Sequence, residues 1–261
     1  MTIPQGKNIY FLSDFHLGAP NAADSLVREK KIVRFLSNIK AQTAVLFIVG
    51  DLFDFWYEYK KVVPRGYVRL LAKLAEFTDS GIPVHFFVGN HDMWMQDYFQ
   101  TELGVAVYFE PREFQFNNKT FYIGHGDGLG PGDAGYKALK KVFRNPICQW
   151  AFGLVPPRIG IGLADYFSRK SRAATGTSEE QFLGDEKEWL ITYSTELLNQ
   201  KKRDYFIFGH RHLPIDYRLS NESRYINLGD WISFFTYAVF DGTELHLKTE
   251  GGDELKIVRK P

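Results

Sequence analysis

Cysteine is almost missing from this chain. One residue, Cys148, among 261 excludes an internal disulfide and fits a reducing compartment. Long apolar runs are missing as well, and none approaches the ~20 residues that span a bilayer. The N-terminal stretch Ile9–Leu12 is too short for a secretory leader and runs straight into Asp14. Charge of one sign is in short supply: a formal net charge of +1 argues against a general grip on nucleic acid, so no nucleic-acid partner is expected. Repeats and low-complexity tracts are absent. These absences describe a cytoplasmic globular protein. Its 44% hydrophobic and 24% charged residues suffice for a sizeable core, in one large domain or a domain with an inserted lid.

What is present alternates. Apolar runs at Lys7–Ser13, Val45–Val49 and Val84–Val88 predict buried strands. Helical periodicity over Asp24–Lys40, Arg65–Asp79 and Met93–Leu103 places helices between and after them, an α/β order. Short strands are expected at Val105–Phe109, Phe114–Phe116 and Thr120–Ile123, with Asn117-Asn118 as a hairpin turn. From Gly128 to about Thr177 the pattern changes to Gly/Pro-punctuated helical pieces rich in bulky apolar and basic residues. A long helix is expected over Glu179–Gln200 and a strand at Tyr205–Phe208. The remainder reads as strands: Ile215–Leu219, Arg224–Leu228, Tyr237–Phe240, Glu244–Thr249 and Leu255–Val258, with Asp241-Gly242 as a hairpin signal.

Five of the strand ends carry Asp, Asn or His. Asp14 and His16 follow the first run, Asp51 and Asp54 the second, and Asn90 and His91 the third; His125 and Asp127 follow Phe121–Ile123, and His210 and His212 follow Tyr205–Phe208. Ligands collect at the carboxyl ends of such strands. Each fragment alone has a plainer meaning: Asp51 and Asp54 could cap a following helix, and His210 and His212, spaced by one residue, would point the same way on an extended segment. As a set, carboxylates, an amide and imidazoles without a thiolate are donors for hard or borderline divalent cations.

In order, DFHLG, GDLFD, GNHD, GHGD and GHRH resemble the motif series of the calcineurin-like metallophosphoesterases, from Asp14 to His212. The resemblance implies an α/β fold, an αββα sandwich with an inserted helical cap: residues 1–128 and 179–261 as core, 129–178 as cap. It also implies two divalent cations, with Mn²⁺ the first candidate and Mg²⁺, Fe²⁺ or Zn²⁺ the others. Asp14, His16, Asp51 and His212 would hold one, and Asp51, Asn90, His125 and His210 the other, with Asp51 shared. Such a pair generates a hydroxide that attacks phosphorus in line. His91 would face the phosphate as general acid or charge stabiliser, and Asp92 would either orient that imidazole or cap the next helix. His85 and His246, inside strands, read as structural or surface residues.

Within the superfamily the chain most resembles the UDP-2,3-diacylglucosamine pyrophosphatases of lipid A biosynthesis, through GDLFDFW with Trp56, HGDGLGPGDAGY and the basic helical insert up to Arg169-Lys170-Ser171. That implies a lipid-linked sugar nucleotide as substrate, UMP and a lipid monophosphate as products, and peripheral contact with the inner membrane. Asn90, His91, Asp133, Tyr136, Arg169 and Ser171 would be the substrate contacts. One position departs: the lipid enzymes resembled here carry Arg where this chain has His91, and Arg clamps phosphate bidentately without giving up a proton. Another phosphodiester, a nucleotide or cyclic nucleotide, is the alternative substrate.

Overall fold

A computed structural model describes residues 1–132, 134–175, 182, 184, 185, 187–251 and 258–260. In chain order the strands are β1 (Asn8–Leu12), β2 (Thr43–Val49), β3 (Val84–Phe87), β4 (Ala106–Tyr108), β5 (Arg112–Phe116), β6 (Lys119–Ile123), β7 (Tyr205–Phe208), β8 (Pro214–Arg218), β9 (Arg224–Leu228), β10 (Thr236–Phe240), β11 (Leu245–Thr249) and β12 (Val258–Lys260). The helices are α1 (Ala22–Ile39), α2 (Val68–Asp79), α3 (Tyr98–Leu103), α4 (Ala134–Phe143), α5 (Pro146–Gly153), α6 (Pro157–Thr175) and α7 (Trp189–Gln200).

Two six-stranded sheets form, ordered β11-β10-β1-β2-β3-β4 and β12-β8-β9-β7-β6-β5. The β1–β2–β3–β4 run is parallel, as are β6–β7 and β7–β9, whereas β10 and β11 join antiparallel. Strand periodicity explains why β1 and β2 are apolar without a break. Alternate residues face opposite sides, so Ile9, Phe11, Val45, Phe47 and Val49 pack inward on Phe121, Ile123 and Ile207 of the other sheet. Tyr10, Leu12, Leu46 and Ile48 pack outward under α1 and α2, on Ile32, Leu36, Leu70 and Leu74. Helix α7 covers the far side of the second sheet through Leu190 and Ile191 against Phe206, Phe208 and Tyr225. The result is the expected αββα sandwich.

Two helices begin later than periodicity predicts, because neighbouring chain segments help set their ends. Tyr67 adopts a left-handed conformation, and Glu29 of α1 accepts from the N–H groups of Arg69 and Leu70, so α2 starts at Val68 rather than Arg65. Residues 93–97 are not helical: Met95 N–H turns back to Asp92 O, and α3 opens at Tyr98, whose N–H donates to Glu58. Helix α7 opens at Trp189; the earlier part of the expected Glu179–Gln200 helix lies partly outside the described residues. Residues 255–257 of the expected Leu255–Val258 strand also lie outside them.

Helices α4 and α5 rest on the loops after β2 and β3 through an aromatic seam. Trp94 lies tilted 4.5 Å from Phe152 and edge-on 5.5 Å from Phe143, and Tyr57 lies 4.8 Å from Phe152. Tyr57 Oη and Trp94 Nε1 also donate to the Gln149 and Phe143 carbonyls, at 2.7 and 2.6 Å.

Candidate metal centre

The loops leaving β1, β2, β3, β6 and β7 converge at one end of the sandwich. Asp14 N–H donates to Gly50 O, and His16 N–H to Asp51 O, each at 3.0 Å. Asp14, His16, Asp51, His210 and His212 all have left-handed φ, between 42° and 66°. Asp, Asn and His tolerate that region better than most residues, but each such position still costs about 1–3 kcal/mol and tends to mark a functional site. The strain turns each side chain out of the strand's alternation and into the shared space.

All seven residues expected as metal ligands are brought together there. Asp14, His16 and His212 form one group of potential ligand atoms, and Asp51, His125 and His210 another. Asp51 lies between them: its Oδ2 is 3.6 Å from His16 Nε2 and 3.3 Å from His125 Nε2, while Oδ1 accepts from His91 N–H at 2.9 Å. Asn90 Oδ1 joins the second group 3.2 Å from His125 Nε2. His210 and His212 do not sit on an extended segment, where they would point the same way. Because both are left-handed rather than extended, the two rings go to different groups. No helix follows Asp51 directly, so helix capping by Asp51 or Asp54 does not occur.

The donor set fits divalent cations. His125 Nδ1 is 2.9 Å from Val49 O, which fixes the ring and turns Nε2 to Asp51, the orientation metal-binding histidines receive from backbone carbonyls. His16 Nε2 and His212 Nε2 face each other at 3.1 Å. Two glycines permit the close packing: a Cβ on Gly89 would overlap Asp51, and one on Gly50 would overlap the His125 ring. Burial alone would raise the carboxyl pKa values of Asp14 and Asp51, but the surrounding histidines outweigh it and hold both low. Burial likewise disfavours a charged His125, yet Asp51 carries it up to about 10. Cations at such a set displace protons from its imidazoles.

His91 and Asp92 part company. Asp92 accepts from Leu52 N–H at 2.8 Å and Gly89 N–H at 2.7 Å, so its carboxylate staples two loops and neither orients the imidazole nor caps α3. Burial and the charge of Asp51 push its carboxyl up to about 7. The His91 ring is held instead by the Asp54 carbonyl, 2.9 Å from Nδ1. Of the remaining expected substrate contacts, Tyr136 lies on α4, with its hydroxyl 2.6 Å from Asp127 Oδ2. Arg169 and Ser171 lie on α6, and Asp133 lies outside the described residues.

Two supporting groups escape sequence inspection, and a third, Asp127, reads there only as a strand-end residue. Asp230 Oδ2 lies 3.5 Å from His212 Nδ1, while its Oδ1 takes three backbone N–H groups. A Gly-Asp pair directly after a strand, as at Gly50-Asp51, was the available signal. Buried Arg211, between the two histidines, pairs with Glu188 at 3.1 Å through both oxygens. Asp127 binds Lys140 Nζ at 2.5 Å as well as Tyr136.

Strand-end carboxylates and imidazoles grouped in this way define a metal-dependent phosphoesterase centre. The calcineurin-like phosphoesterase family model matches residues 7–214, and the chain belongs to that family. Among characterised relatives, the chain is 39% identical to UDP-2,3-diacylglucosamine hydrolase of Porphyromonas gingivalis, over 93% of this chain and 97% of that protein. It is 27% identical to the protein of the same name from Shewanella piezotolerans, over 85% and 89%. The solved structure of Yfce, a phosphoesterase from E. coli, aligns with a TM-score of 0.46 at 15% identity, over 93% of this chain and 92% of that one.

Proposed function

We propose that this protein cleaves the pyrophosphate of UDP-2,3-diacylglucosamine to UMP and 2,3-diacylglucosamine 1-phosphate, using two divalent cations, Mn²⁺ first among them. The observation that carries the reading is Asp51, one buried carboxylate set between two groups of imidazole and carboxylate donors. The substrate class is supported by the names of the relatives, which match nearly full length. Cations bound at these groups would polarise the phosphoryl oxygens and acidify water. The chain's own residues do the rest. Asp51 and Asn90 hold the phosphoryl end of the site, and His91, anchored through Nδ1, offers Nε2 to the leaving oxygen. Helices α5 and α6 and the turn between them expose Ile147, Trp150, Leu154 and Ile159 by 72%, 66%, 67% and 60%, an apolar surface suited to acyl chains and to peripheral contact with a bilayer. No helix among the described residues is long and apolar enough to cross a membrane.

A metal-supplemented assay comparing UDP-2,3-diacylglucosamine with bis(p-nitrophenyl) phosphate tests the reading. The sugar nucleotide is expected to be the better substrate, and Asp51→Ala to lower turnover of either by roughly a thousandfold or more, with loss of bound metal. Hydrolysis of the simple diester alone would remove the lipid substrate. Full activity in Asp51→Ala would remove the shared carboxylate.

A further inference from the structure

Among the described residues, helix α6 brings the Ser168 side chain to the candidate centre. Ser168 Oγ lies 3.3 Å from His91 Nδ1 and 3.3 Å from the Asp54 carbonyl oxygen. The same carbonyl lies 2.9 Å from His91 Nδ1. Only one proton arrangement suits all three groups. If Nδ1 were bare, its lone pair would face a carbonyl oxygen that can only accept. Nδ1 therefore carries the hydrogen and donates to Asp54 O, sharing it with Ser168 Oγ, while the Ser168 hydroxyl donates its own hydrogen to the same carbonyl. The far side of the ring is bounded by His16, edge-on at 4.8 Å between centroids.

We propose that Ser168 is a positioning residue for His91: the Asp54 carbonyl fixes the Nδ1-protonated tautomer, and the Ser168 hydroxyl, bridging Nδ1 and that carbonyl, holds the ring plane so that Nε2 is the nitrogen presented to the phosphoester. The proposal rests on the reading that His91 works at the phosphoryl group. It makes the inserted helices part of the reaction centre as well as a cover for the substrate's acyl end.

Turnover of bis(p-nitrophenyl) phosphate, a diester with no acyl chain to engage the insertion, isolates this contact. Ser168→Ala is expected to lower kcat about three- to tenfold with KM unchanged, the loss of one hydrogen bond that only orients. Ser168→Thr, which keeps the hydroxyl, is expected to restore kcat. In a His91→Gln background Ser168→Ala is expected to have no further effect, since the two substitutions remove one shared interaction. Imidazole ¹⁵N shifts in the histidine-labelled protein read the same contact without turnover. The His91 signals, identified by their loss in His91→Gln, should report an Nδ1-protonated tautomer in both proteins, with the Nδ1 shift displaced in Ser168→Ala by loss of the shared hydrogen bond. Unchanged ¹⁵N shifts in Ser168→Ala, or an equal loss of kcat in both backgrounds, would overturn the proposal. Because the shifts need no substrate, failure of the proposed reaction is distinguishable from failure of the Ser168 assignment.

Discussion

Asp92, buried, and His85, half-buried, show how differently two titratable side chains can serve one fold. Asp92 is fully buried and satisfies two backbone N–H groups on separate loops. Asp92→Ala leaves both donors without a partner, and the expected loss of stability is about 2–4 kcal/mol, read from urea denaturation. His85 lies stacked on Phe47 at 4.8 Å, with Nδ1 3.0 Å from Tyr108 Oη, and burial lowers its pKa to about 4. An unfolded histidine titrates near ~6.5. Between those values the unfolded chain binds the extra proton, so stability falls as the pH drops from about 6.5 towards 4. His85→Phe keeps the stack and removes the titration, so its Tm is expected to fall less over that range. Parallel Tm curves for the two proteins would contradict the assignment.

Helix α4 buries no residue fully, and beyond the Phe143 contact at its end it is held to the strand-end loops by charge. Asp127, two residues beyond His125, takes Tyr136 and Lys140 from consecutive turns, and Lys140 Nζ also reaches the Asp127 carbonyl at 3.0 Å. Removing one partner of a buried pair leaves the other charge uncompensated. Asp127→Ala is therefore expected to speed amide exchange along residues 134–143 by about tenfold or more, with β6 and β7 unchanged. Uniform acceleration across the chain would instead indicate global destabilisation. The same dependence on distant partners explains the helix starts that periodicity misplaced. Apolar spacing marks which face of α2 or α3 is buried, but Glu29 and Glu58, some forty residues upstream, supply acceptors at their first turns.

The sandwich as a whole is held by its inner faces. Phe121 of one sheet packs on Phe11 at 6.0 Å and Phe240 at 5.0 Å of the other, and on Tyr205 at 4.9 Å beside it. Phe121→Ala opens a cavity that rigid strands cannot close, with an expected cost of about 3–5 kcal/mol by chemical denaturation. A loss below ~1 kcal/mol would mean that the sheets repack around the gap. This rigidity also bears on the centre. Five ligand candidates are held at strained φ, which persists only where the surroundings over-determine it.

The amino-acid sequence by itself determined the α/β order, the order of the strands along the chain and the polar residues at their ends, and the motif series they form implied the sandwich and the seven donors. Strand burial follows from a two-residue period, and a polar residue at a buried strand's end has few places to go but the site. Tertiary structure alone supplied the reason those donors divide as the motif series implied. His210 and His212 separate because two left-handed residues break the alternation their spacing implied. His16 and His212 meet across 196 positions, and Ser168 reaches His91 across 77. Such meetings depend on where loops and helices stop, and those stops are set by hydrogen bonds to residues far away in the chain, which no local pattern records.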